Sequence, residues 1–259
     1  MTEKEKYINN PFTINLLYST SVIINDLSKK PGFKYGQNNY HLLNIYEKYL
    51  SDVGKINSEL RSVFEQIDFI SIFLRRFPSK KFYHENGIGE LEYIQYHTEV
   101  LFHKVHTISE IMKLLVNEVY CLGIERKDCN WKRLNQKLPK ETPCLAQIEN
   151  YHETFKEYID YRHLNTHRGI YIDDEKDSIE NEYGLGIYLI AKSLNYELGD
   201  DFKKAFPKVL IDYKIKILKK ERIKFLCEIQ NKINKSLKSF LTTLNEEFDS
   251  KKNVLKHRV

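Results

Sequence analysis

The chain is 259 residues long, and its 41 Lys and Arg against 36 Asp and Glu leave a net charge of +5. A mean hydropathy of −0.54 and the lack of any apolar run near the ~18 residues of a membrane-spanning helix exclude a helical membrane protein. Ten glycines and six prolines fall well below average shares of about 7% and 5%, too few turn residues for an all-β chain, so the expected fold class is all-α.

Apolar residues recur with a period near 3.6 along most of the chain. The spacing predicts a helix over 14–27, ended by Lys29-Lys30-Pro31-Gly32. Residues 40–77 read as one extended helix, or two broken near Gly54. Pro78 ends it, and a polar loop runs to Gly89. Over 90–121, Leu101, Val105, Ile108, Met112, Leu115 and Val119 alternate spacings of four and three, predicting one narrow apolar stripe of a bundle helix capped by Gly123. The stretch 124–143, with Trp131 and two prolines, reads as a connector holding a short helix. A further helix is expected over 145–168, its stripe Leu145, Ile148, His152, Phe155, Ile159 and Arg162, closed by Gly169. Asp173–Glu182, with six acids and one Lys, is expected to be an acidic loop. A short helix over 187–198 follows, and Pro207 opens a long amphipathic run to about 248. No repeat, low-complexity tract or composition break divides the chain, so a single all-helical domain over 1–259, an antiparallel bundle, is the expected organisation.

Met1-Thr2-Glu3-Lys4-Glu5-Lys6 leads into no apolar segment, and Cys121, Cys129, Cys144 and Cys227 form no C-x-x-C pair. A cytoplasmic protein with reduced thiols and no membrane association is expected. The charge is unevenly spread. From Phe202 onward 16 Lys and Arg meet 6 Asp and Glu, a net of +10, against −5 for the preceding residues. Interleaved with Phe202, Phe206, Tyr213, Phe225 and Phe240, that excess suits a polyanion such as nucleic acid, with Lys214, Lys216, Lys219 and Lys220 as candidate contacts. The plainer reading is a solvated, lysine-rich helix face.

Common catalytic signatures are absent: there is no Walker loop, no G-x-S-x-G and no H-E-x-x-H, and the G-x-G sequences Gly87-Ile88-Gly89 and Gly184-Leu185-Gly186 read as turns. Six of the nine histidines lie between His97 and His167. Within Asp160-Tyr161-Arg162-His163-Leu164-Asn165-Thr166-His167-Arg168-Gly169 an apolar helix face turns polar. At about 100° per residue, Arg162 sits about 20° from Phe155, so its guanidinium is expected to point inward. Such a charge is held by a carboxylate, Asp160 or Glu99, or kept to bind an anion.

These residues resemble the signature of the HEPN superfamily, helical-bundle proteins of toxin–antitoxin, phage-defence and CRISPR systems. The signature is an Arg, four to six residues, then His, with a polar residue after the Arg. Here Arg162 and His167 enclose four residues, and His163 fills the polar slot. The resemblance implies a HEPN-like core over about 90–250, with an N-terminal helical extension over about 1–80. It implies a metal-independent endoribonuclease that works as a homodimer, needs no cofactor, and cleaves RNA by attack of its own 2′-OH. His167 would manage protons, Arg162 would stabilise the charged phosphorane, His163 would assist, and Asn165 and Thr166 would orient the substrate. A defence or toxin setting and an antitoxin-type partner follow from the same resemblance. Five residues rotate a helix by about 500°, leaving Arg162 and His167 roughly 140° apart; either the helix frays before Gly169 or a second chain completes the site. Two other readings stand beside it. One is a non-catalytic HEPN-like module that binds RNA or nucleotides. The other is a metal site on His163 and His167, joined by His103 and His106 with Glu99 or Glu110.

Overall fold

A computed structural model describes residues 9–78, 80–168 and 173–258, with all of their side chains except those of 84 and 163–168. Among the described residues all regular structure is helical: α1 (Pro11–Leu27), α2 (Ile45–Arg75), α3 (Lys81–Glu85), α4 (Glu90–Val119), α5 (Trp131–Lys137), α6 (Pro143–Thr154), α7 (Lys156–Arg168), α8 (Asp174–Asn181), α9 (Leu185–Ser193), α10 (Asp200–Ala205) and α11 (Lys208–Lys256). None is long and apolar enough to cross a membrane.

Local chemistry sets the ends. The Asn10 side chain accepts the Phe12 N–H at 2.9 Å with Pro11 at the first helical position, so α1 starts three residues before its apolar pattern does. Helix α2 runs through Gly54 without a break. Asn130 caps α5, the short helix expected in the connector. Helix α4 ends not on Gly123 but on Cys121, a non-glycine residue at φ +54, with the Leu122 N–H on the Asn117 carbonyl. The Asn117 side chain then brackets Ile124 by two 3.0 Å bonds and holds this turn in place.

The chain folds as two compact units, one of residues 1–68, 104–156 and 230–259, the other of 69–103 and 157–229. In the first, Phe248 packs edge-on to Phe12 and stacks on Tyr49. The fully buried Tyr151 donates its hydroxyl to the Val105 carbonyl at 2.9 Å. The α4 stripe Leu101, Val105, Ile108, Met112, Leu115 and Val119 is buried throughout, yet the buried surface is wider than a stripe: Ile111, Leu114 and Val116 are buried as well. A helix apolar on most sides belongs inside a core, not on its edge.

The single helix expected over 145–168 is two helices. Phe155, at φ −116 and ψ 14, interrupts it between α6 and α7. No proline or glycine marks this break. Tyr151 and Phe155 are both fully buried with ring centroids 4.5 Å apart, so packing overrides propensity here. His152, expected on the stripe, is exposed, and Tyr151 takes its place.

The second unit is built on Leu91, Ile179, Ile211 and Leu218, against which Tyr183, Leu185, Tyr188 and Ile215 pack. The stretch read as an acidic loop is mostly helix α8. Asp173 caps it through the Lys176 N–H, and Asp174, Glu175 and Asp177 occupy the first turn, where the helix dipole favours acids. Gly184 is a turn residue at φ +74, and a Cβ there would stand 3.0 Å from the Phe206 ring; Gly186 lies inside α9, where a Cβ would meet the Glu180 carbonyl at 3.2 Å. Gly184→Ala therefore combines backbone strain with a clash, and is expected to cost about 1–3 kcal/mol. A lowered urea midpoint with an unchanged m-value would show it, and an unchanged midpoint would refute it.

Candidate functional site

Helix α7 carries the Arg162–His167 motif, and aromatic packing fixes its position within the second unit. Tyr158 and Tyr161 both stack on Phe102, with centroids at 5.5 and 5.9 Å and planes within 17°. Phe225 meets Phe102 and Tyr158 edge-on at 6.1 and 5.5 Å. Four rings from α4, α7 and α11 thus pin the turn from which Arg162 projects. Burial pushes the Tyr158 hydroxyl above its ordinary range, which keeps it a neutral phenol.

Arg162 is half-buried, one turn beyond the buried Ile159, as its place on the apolar stripe predicts. Of the two carboxylates considered for it, Asp160 is exposed, whereas Glu99 is half-buried and makes other contacts besides the 3.0 Å hydrogen bond that it accepts from Gln95. The helix continues to Arg168. Fraying before Gly169 is therefore not what the backbone does, and positions 162 and 167 keep their angular separation of roughly 140°. The side chains of His163, Asn165, Thr166 and His167 lie outside the described residues.

The four lysines proposed as contacts differ in surroundings. Lys219 is tied to Glu90 at 2.7 Å on a partly buried surface. The Lys214 ammonium sits 4.7 Å over the Tyr183 ring, and its hydrogen bond to Tyr183 raises its pKa. Lys216 and Lys220 are exposed and form no ion pair among the described residues. Part of the basic run of α11 thus serves to hold the second unit together.

Sequence reasoning missed the strongest electrostatic feature of this unit. Arg222 donates to Asp173 at 2.8 Å and to Glu175 at 2.7 Å, joining α11 to the start of α8. The acidic run and the basic run each drew notice in the sequence, but periodicity does not pair residues 49 positions apart.

For the metal reading, no group of three His, Cys, Asp or Glu among the described residues could hold an ion. His106 faces Glu110 on its own helix at 3.6 Å, and His163 and His167 lie outside the described side chains. The cysteines are unpaired, and burial pushes the Cys129 and Cys144 thiols up to about 11, so both are protonated and unreactive at neutral pH.

His97 plays a structural part. It is almost fully buried among Phe73, Tyr93 and Tyr96, and burial lowers its pKa below the ordinary value. The unfolded chain, with an imidazole pKa near ~6.5, takes up a proton that the folded chain refuses. Stability is therefore expected to be full above that pH and to fall as the pH drops toward the lower folded value. Comparing urea midpoints at pH 7 and pH 5 tests this: the fall should shrink in His97→Phe, and an equal fall in both proteins would refute the assignment.

The family model described as HEPN_Cthe2314-like HEPN matches residues 53–220, a span that includes the whole of the Arg162–His167 motif. No curated protein and no solved structure matches the chain.

Proposed function

The chain belongs to the HEPN_Cthe2314-like HEPN family, and from that premise we propose that it is a metal-independent endoribonuclease acting on single-stranded RNA. The observation that carries the reading is a half-buried Arg162 on a ring-clamped helix that runs on to Arg168, with His167 five residues along.

RNA holds its own nucleophile. The 2′-OH attacks the adjacent phosphorus, the new 2′-O–P bond forms as the P–O5′ bond breaks, and the products are a 2′,3′-cyclic phosphate and a free 5′-OH. A neutral imidazole takes the 2′-OH proton and an imidazolium returns one to the leaving O5′, work that His167 suits at neutral pH. Arg162, always charged, offsets the charge that builds on the phosphorane oxygens, while His163, Asn165 and Thr166 contact the substrate.

The angular separation of 162 and 167 favours a site shared by two chains, with Arg162 from one copy and His167 from the other. The exposed aliphatic face formed by Ile187 and Ile190 of α9 and by Leu194 at its C-terminal cap supports self-association. A toxin or antiviral-defence setting in the cytoplasm, with a neutralising partner, completes the proposal.

The test is a 5′-labelled single-stranded RNA incubated with the full chain in EDTA. Cleavage with cyclic-phosphate ends is expected. A strict metal requirement, or equal cleavage of a 2′-O-methyl strand, would overturn the mechanism. Salt-sensitive binding without cleavage would leave a binding module.

A further inference from the structure

We propose that the second unit presents a stacking platform for single-stranded RNA on the exposed rings of Phe69, Phe73, Phe82 and Tyr96, residues outside the Arg162–His167 motif; the choice of RNA rests on the ribonuclease reading. The rings form one continuous row. Phe69 lies 6.4 Å from Phe73, and Phe73 lies 5.1 Å from His97. From His97 the row passes through Tyr93 at 4.4 Å and Phe77 at a further 5.3 Å, then through Tyr83 to Phe82 at 6.1 and 5.9 Å. Tyr96 branches from His97 at 5.3 Å.

Inner members of the row are partly or fully buried, whereas Phe82 and Tyr96 are 66% and 63% exposed and Phe69 and Phe73 about half so. Four exposed aromatic residues on a buried inner row make an apolar surface of the kind that a partner covers. The flanking charge selects the partner. Arg75 ends α2, Arg76 and Lys80 follow, all three are exposed, and none forms an ion pair among the described residues. Rings beside free guanidinium and ammonium groups fit bases and phosphates of an unpaired strand. The exposed face of α9 is aliphatic and carries no such chemistry, which suits a protein surface instead.

The experiment uses the full chain and a 2′-O-methyl oligouridine, which binds without being cut. In a Trp131→Phe background, Phe82→Trp places a single fluorophore on the platform. Its emission is expected to be quenched by the oligomer and unchanged by an abasic strand of equal charge. Phe82→Ala with Tyr96→Ala is expected to weaken binding roughly tenfold or more while leaving its salt dependence intact. Arg75→Ala with Arg76→Ala is expected to lower the salt slope by about 1.4.

Equal quenching by the abasic strand, or unchanged affinity of a folded Phe82→Ala/Tyr96→Ala protein, overturns the platform. So does a change of that variant from dimer to monomer, which would make the rings a protein interface. Cleavage of ordinary RNA is scored separately: cutting without quenching removes the platform alone, and quenching without cutting removes the nuclease alone.

Discussion

Arg162→Ala and His167→Ala are each expected to slow RNA cleavage by about 10²–10⁴, the range set by losing one proton-transfer group or one charge at the phosphorane. Neither change is expected to unfold the chain. Arg162 is only half-buried, and the Phe102, Tyr158, Tyr161 and Phe225 rings hold its helix. Circular dichroism should therefore stay unchanged while the rate falls. Mixing the two inactive proteins asks the sharper question. If Arg162 of one copy works with His167 of another, half of the dimers are mixed and one of their two sites is intact, so about a quarter of the activity returns. If each chain supplies a whole site, the mixture stays inactive. Full cleavage by Arg162→Ala would remove Arg162 from the mechanism and with it the shared Arg162–His167 site.

The second large effect concerns folding. Arg222→Met leaves the Asp173 carboxylate, whose side chain is 2% exposed, without its guanidinium. Losing one partner of a buried pair costs about 3–5 kcal/mol, because the other charge remains out of water. Glu175, on the same guanidinium but 59% exposed, adds little. The double variant Arg222→Met/Asp173→Asn keeps an acceptor for the Lys176 N–H and removes the charge, so it is expected to recover most of the loss. Urea denaturation of the three proteins checks this, and a single variant as stable as the parent would show that water reaches Asp173.

Most of the helices were legible because burial imposes a period of 3.6, and the α4 stripe from Leu101 to Val119 is buried as that period requires. Two local readings failed for reasons that a linear pattern does not carry. The acids of 173–182 looked like a loop because no apolar stripe runs through them, yet Ile179 alone seats α8 on the core and the capping Asp173 starts it. The break at Phe155 is a tertiary choice between two large rings, invisible to propensity. For the site, the sequence supplied the position of Arg162 on an inward-turning face and the four-residue spacing to His167. The rings that hold that face, and the pairing of Arg222 with Asp173, join residues far apart in the chain, and no local pattern announces them.

The way the two units divide the chain has a consequence for biosynthesis. Each is assembled from separated segments: the unit bearing the motif uses nothing beyond residue 229, while the other draws on residues 1–68 and also needs 230–259. On the ribosome, where chain emerges from its N-terminal end, the motif-bearing unit has all of its parts first. Helix α1 must wait for α11 to supply its partners, Asn15 for Asn245 and Asp249, Phe12 for Phe248. The unit that carries Arg162 and His167 thus has its whole sequence out while the other still lacks residues 230–259.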